Sequence, residues 1–187
     1  MTIALFSLIL ISELATTAAV AWSLARPACR IWPPPRPRAW QGYALWLLFL
    51  TSACGLILLG LVDWGRWPLA SWLRLGLGLP LWLAGNGLAT WAMITLGLAT
   101  TFGREGGLVR RGPYRFSRNP QYLGFLLGLL GWGLLAASVW TLVAALAGIP
   151  PLLLVPLAEE PWLAAQHGAA YDDYRRAVPR FFSLRRQ

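Results

Sequence analysis

Long apolar runs alternate with short basic breaks along this chain, and five of the runs suit helical membrane spans: Ile3–Leu24, Tyr43–Val62, Gly76–Leu98, Pro120–Ala137 and Val139–Leu157. The last two form one unbroken stretch. From Asn119 to Ala158 no residue is charged, and those 40 residues as helix would reach roughly 60 Å, twice the ~30 Å hydrocarbon core. The stretch therefore enters the bilayer and returns, bringing Glu159 and Glu160 back to the face that carries the basic segment Arg110–Arg118. Beyond them, Trp162, Leu163, Tyr171 and Tyr174 alternate with Asp172, Asp173, Arg175 and Arg176, a pattern for short helices lying at the surface. The pattern predicts an all-α, polytopic integral membrane protein of about five transmembrane helices with a C-terminal amphipathic tail. It makes one membrane domain, 1–187. Residues 1–98 form a three-helix part, and 99–187 hold a loop, a helical hairpin and the tail.

Details within the spans refine this. Ala19-Val20-Ala21 looks like a cleavage site, but no basic region precedes it and Glu13 interrupts the apolar run, so the first span is expected to be retained. Glu13, ionisable inside a span, is a functional candidate, and it also sits one helical turn from Thr16 and Thr17, polar neighbours expected to satisfy it. Trp64, Trp67 and Trp72 mark a headgroup interface. Gly124 and Gly128 have the spacing that lets another helix approach closely. Pro150, Pro151 and Pro156 predict a kinked or partly unwound fifth span, bordering protein or a cavity. Asn86, Thr90 and Thr95 suit either a site or bonds between helices.

Composition agrees: 57% of residues are hydrophobic, 12% are charged, and mean hydropathy is +0.55. The 16 cations are all arginines, and five spans put 14 of them on one side, with only Arg66 and Arg74 opposite. The positive-inside rule then places the tail in the cytoplasm and the N-terminus outside, in a bacterial cytoplasmic membrane. Arginines flanking apolar spans answer to anionic lipid and exclude nucleic acid as the partner. Cys29, Cys54 and the single His167 give no metal spacing, so no metal is expected.

The candidate chemistry lies in Arg110–Gly124. Asn119 is placed to cap the fourth span through its side-chain oxygen, with Pro120 at the first helical position. A helix start with free N–H groups, and Arg118 beside it, suits an anion such as a carboxylate.

These pieces in order resemble the integral-membrane methyltransferases, which include the isoprenylcysteine carboxyl methyltransferases and the phospholipid N-methyltransferases. The resemblance rests on Gly112-Pro113-Tyr114, Arg118-Asn119-Pro120-Gln121-Tyr122-Leu123-Gly124, Glu159-Glu160, and Tyr171-x-x-Tyr174-x-x-x-Val178-Pro179-Arg180. It covers about Leu96–Phe181, nearly half the chain. It implies S-adenosylmethionine as cofactor at the cytoplasmic face, with Gly106, Gly107, Leu108, Val109, Tyr114, Arg118, Asn119, Pro120, Gln121, Tyr122 and Glu159 as binding candidates. Tyr114 or Tyr122 would pack on adenine, and Glu159 would face the cofactor's positive end.

Two departures bear on the acceptor. The carboxyl methyltransferases typically read Arg-His-Pro where this chain has Arg118-Asn119-Pro120. Their substrate-binding arginine would fall at Val155. Asn119-Pro120-Gln121-Tyr122 with Glu159-Glu160-Pro161 resembles the phosphatidylethanolamine methyltransferases instead. The expected partner is therefore a lipid or lipid-linked substrate, first a phospholipid amine. Glu159 and Glu160 are the catalytic candidates, with Glu160 as the base. An isoprenylcysteine carboxylate is the alternative acceptor. A small transporter or assembly factor is the rival class, which would explain the prolines of span five but not the ordered motif set.

Overall fold

The computed structural model describes residues 1–36, 38–101 and 106–182, with Leu98 and Ala99 as backbone only. The expectations placed on Gly103, Arg104, Arg185 and Arg186 lie outside the described residues. Every regular element among them is helical. Helix α1 is Thr2–Ala25, α2 is Trp40–Val62 and α3 is Ser71–Leu96, and with Val139–His167 these are four helices long and apolar enough to cross a membrane. The shorter α4, Pro120–Ala136, is 17 residues long, about 25 Å.

Three boundaries differ from the pattern. Helix α3 begins at Ser71, not Gly76, and passes through a π turn at Arg74–Gly78. It ends at Leu96 because Gly97 adopts φ 87°, and a short helical turn, Leu98–Thr101, follows. The fifth span breaks at Gly148 into α5, Val139–Ala147, and α6, Ile149–His167. Pro150 and Pro151 lack the N–H groups that would continue the ladder of α5. Pro156 and Pro161 stay inside α6. The stretch Ala158–His167, expected as surface tail, is thus the last turns of a long helix. Among the described residues only α7, Ala169–Ala177, is a separate tail helix, and it turns Tyr171 and Tyr174 inward, away from lipid.

Helices α3 and α4 make the closest approach. A Cβ on Gly124 would lie 2.6 Å from the Ala89 nitrogen and 2.7 Å from the Gly85 oxygen. The helix that the glycine spacing anticipated is therefore α3. A second packing centre joins Ile9, Leu56, Leu59, Trp132, Leu135, Ala144 and Ala145. There Trp132 donates its indole N–H to the Leu56 carbonyl at 2.9 Å across the bare face of Gly60.

The two ends of the bundle are stitched differently. At one end the α2–α3 connection binds the α4–α5 turn. Gly65 and Trp67 donate to the carbonyls of Ala136 and Ala137, and Ser138 donates to buried Asp63 at 2.6 Å. At the other end the Pro-rich loop, the 106–119 loop and the tail converge on Glu159 and Glu160. The acidic pair does return to the basic loop. In the spans, Asn86 and Thr95 donate to carbonyls one turn back in their own helix, so neither spends its bond between helices.

Candidate active site

Gly112, at φ 58°, turns the chain into a 3₁₀ turn, Gly112–Arg115, that buries Tyr114. The tail lies across this loop. Tyr174 donates to the Tyr114 carbonyl at 2.7 Å, and the Arg118 N–H donates to Pro179 at 2.9 Å. Arg110 donates to the Ala170 carbonyl and stacks 5.6 Å above the Tyr174 ring. Asn119 occupies the N-cap position with Pro120 behind it, as expected, but its side chain does not cap. Its amide instead donates to the Arg180 carbonyl at 3.1 Å, and Ser117 donates to the same oxygen at 3.2 Å. The tail carbonyl orients the side chain through its amide N–H, and the oxygen makes no capping bond. The first-turn N–H groups of α4 are left without that cap.

The adjacent glutamates have opposite surroundings. Glu160 accepts from Arg180 Nε at 2.8 Å and Nη2 at 2.7 Å, and Arg118 Nη1 lies 3.0 Å from it. Such forked, charge-assisted pairing is among the stronger polar contacts. Glu159 is held by neutral donors. Its Oε1 accepts from the Trp32 indole N–H and from the Tyr122 hydroxyl, both at 2.8 Å. Among the described residues no cation pairs with Glu159.

Glu159 also stands where two cavities meet. A small polar pocket of about 70 Å³ is lined by Gly106–Val109, Tyr114, Arg118, Asn119, both glutamates, and tail residues including Tyr171 and Tyr174. An apolar cavity of about 260 Å³ runs between the helices, with Trp32, Tyr122 and Val155 near Glu159 and Glu13, Ser52 and Trp132 farther in. Along α6 the division follows helical phase. Pro151, Leu152 and Val155 face the large cavity, while Pro156, Glu159, Glu160 and Leu163 face the small one.

Most of the residues singled out from sequence therefore share one pocket: Gly106, Gly107, Leu108, Val109, Tyr114, Arg118, Asn119, Glu159 and Glu160. Gln121 and Tyr122 line the other cavity, and Pro120 is fully buried between. Glu13 has polar neighbours in Thr17 and in Ser52 of α2. Thr17 donates to its backbone carbonyl, while Glu13 itself lines the large cavity. Sequence reasoning gave no role to Arg180, Tyr171 or Tyr174, although all three stood in the motif that carried the resemblance. Trp32 was missed entirely. Outside the spans, burial first pushes three tyrosine hydroxyls upward. Next come Glu159 beside Tyr114, Glu160 beside Tyr171, and Tyr171 beside Tyr174, the last reaching about 12. These tyrosines stay neutral at physiological pH; the Tyr174 hydroxyl donates to the Tyr114 carbonyl, and the Tyr171 hydroxyl accepts from Arg118 at 3.4 Å.

Comparison with known proteins agrees with this architecture. The family model for phospholipid methyltransferases matches residues 73–170. Methanethiol S-methyltransferase 2 of Bradyrhizobium diazoefficiens is 34% identical over 87% of this chain and 69% of its own length. The cobalt-zinc-cadmium resistance protein CzcN of Cupriavidus metallidurans is 31% identical. The nickel-cobalt-cadmium resistance protein NccN of Alcaligenes xylosoxydans is 28% identical. Each of these two alignments covers 74% of this chain and 62% of the relative. No solved structure matches. A polytopic helical bundle with these two cavities and this family match is a membrane methyltransferase, and the chain belongs to the phospholipid methyltransferase family.

Proposed function

We propose that the chain moves a methyl group from S-adenosylmethionine, held in the polar pocket, to a neutral nucleophile arriving from the bilayer through the apolar cavity. The carrying observation is that Glu159 lines the first space while its two hydrogen-bond donors line the second. The residues fit the cofactor. Arg118 Nε is buried without a hydrogen-bond partner in that pocket, suiting a carboxylate, and Glu159 has no cation paired with it among the described residues, suiting a sulfonium. Gly106 must be bare, since a Cβ would run into the Thr100 side chain. Bound there, S-adenosylmethionine supplies an electrophilic methyl on a positively charged sulfur.

The chain's own part is binding, alignment and exclusion of water. Arg118, Asn119 and the glycines hold the polar end, Tyr114 offers a ring, and the tail covers the pocket. Glu160, with both oxygens taken by arginines, is best read as the clamp that keeps the tail down. Serving as the base would require that clamp to open. The cavity is lined mainly by apolar side chains and offers no cation at Val155, so it favours an uncharged amine or thiol over a carboxylate. A phospholipid amine is the first candidate, on the family description. A small thiol is the second, on the name of the Bradyrhizobium relative, and the cavity of about 260 Å³ has room for one. Purified protein in nanodiscs, given labelled cofactor and phosphatidylethanolamine, an alkane thiol or a prenylcysteine in turn, decides among them. The amine or the thiol should be methylated and the prenylcysteine should not. Methylation of the prenylcysteine alone would overturn the acceptor assignment.

A further inference from the structure

The contacts of Tyr122 set it apart from the other residues drawn from the motif. It is the third residue of α4, where a cofactor contact was expected, yet it lines the acceptor cavity, and its hydroxyl reaches Glu159. The hydroxyl donates to Glu159 Oε1 at 2.8 Å, and that oxygen also accepts from Trp32. On the acceptor side, then, Tyr122 presents a phenol whose proton already points at a carboxylate. Glu160 has no such access, because Arg118 and Arg180 surround it.

We infer that Tyr122 is a proton relay between the acceptor and Glu159, so that the acceptors this enzyme takes are those with a removable proton. The inference rests on the proposed two-cavity reading and goes beyond it. The balance is simple. The acceptor's lone pair bonds to the methyl carbon, and the carbon–sulfur bond breaks with its pair retained by sulfur. The acceptor's proton passes to Tyr122 Oη as the tyrosine's own proton passes to Glu159 Oε1. One positive and one negative charge disappear together, and the phenol is regenerated. In a water-poor site that matters, since any outcome leaving a fixed cation at the mouth of an apolar cavity carries a desolvation cost. Primary and secondary amines and thiols satisfy the balance. Tertiary amines and thioethers do not, because their products keep the positive charge and release no proton. Trp32, donating to the same oxygen, holds the carboxylate in place without joining the transfer.

The test uses the full chain in nanodiscs with Tyr122→Phe. Calorimetry with S-adenosylhomocysteine should give an affinity within about threefold of wild type, since the lost group is not in the cofactor pocket. Turnover of an alkane thiol or a primary amine should fall on the order of 100-fold, the lower range for a positioned proton acceptor. Turnover of an acidic aromatic thiol, already ionised at neutral pH, should fall far less. Equal loss across the acceptors, or wild-type turnover of tertiary amines, would overturn the relay. Glu159→Gln supplies the second variant if Tyr122→Phe folds poorly. It keeps an acceptor oxygen for Trp32 and Tyr122, and it should show the same dependence on acceptor acidity. A wild-type protein that binds no cofactor would sink the two-cavity reading itself, an outcome separate from all of these.

Discussion

Substituting Gly124 and Gly128 by alanine, one at a time, tests the packing that sets the position of Tyr122. By spacing the two glycines are equivalent, but by geometry they are not. A methyl group at Gly124 would come within 2.6–2.9 Å of the Ala89 nitrogen, the Gly85 oxygen and the Ala89 Cβ, two of them backbone atoms that cannot rotate aside. At Gly128 the nearest neighbour is the Asn86 amide at 3.4 Å, the end of a side chain. Replacing glycine by alanine within a helix gains about 1 kcal/mol of propensity, whereas forced overpacking costs about 1–3 kcal/mol. With rigid neighbours the upper part of that range applies. Gly124→Ala should therefore be destabilised by about 1–2 kcal/mol, while Gly128→Ala should be neutral or up to about 1 kcal/mol more stable. Reversible unfolding in mixed micelles measures both. Gly124 follows Tyr122 by two residues, so the same substitution should also slow turnover by disturbing the 2.8 Å contact with Glu159. Equal stability of the two variants would refute the assigned interface between α3 and α4.

Two other outcomes follow from the site and the charge pattern. Glu160→Gln removes the forked partner of Arg180 and should loosen the tail over the loop, costing about 2 kcal/mol of local stability. Hydrogen exchange should then speed up in α7 and 178–182 and leave α2 unchanged, and a uniform response would contradict the clamp. Reporter fusions after Arg38 and Arg118 should both read cytoplasmic and one at Arg66 should read outside, as the 14-to-2 arginine split requires. A cytoplasmic signal at Arg66 would break the five-span arrangement.

The spans, the inward return of the charge-free stretch and the return of the glutamates to the face of the basic loop were legible because each follows from length and polarity along the chain. What lay hidden depended on rotation and distance. Trp32 sits in a Pro-rich loop, where a tryptophan ordinarily marks a headgroup interface, and its partner Glu159 is 127 residues away. No local pattern links them. Tyr122 was visible as a motif residue, but the cavity it faces depends on the phase of α4, which is set by Gly85 and Ala89 on α3. Asn119 carried a sound capping signal, and it was overridden when the carbonyl of Arg180 docked beside it. The prolines announced an irregular fifth span, yet the break fell at Gly148, ahead of the first of them. Pro156 and Pro161 were carried within the helix.

The tail strap has a consequence for how the enzyme is made. Trp32, Tyr122, Glu159 and Arg180 come from the first loop, the fourth and fifth spans, and the segment that follows α7. The Ser117 hydroxyl, the Arg118 backbone N–H and the Asn119 side-chain amide donate to the carbonyls of Pro179 and Arg180. All the spans can therefore insert and pack while the site remains open. The polar pocket closes only when the segment after Gly168 has left the ribosome and folded back. A chain stopped there would sit in the membrane as a finished bundle with an unfinished enzyme at its face. An insertion assay and a cofactor-binding assay would disagree about whether synthesis had succeeded.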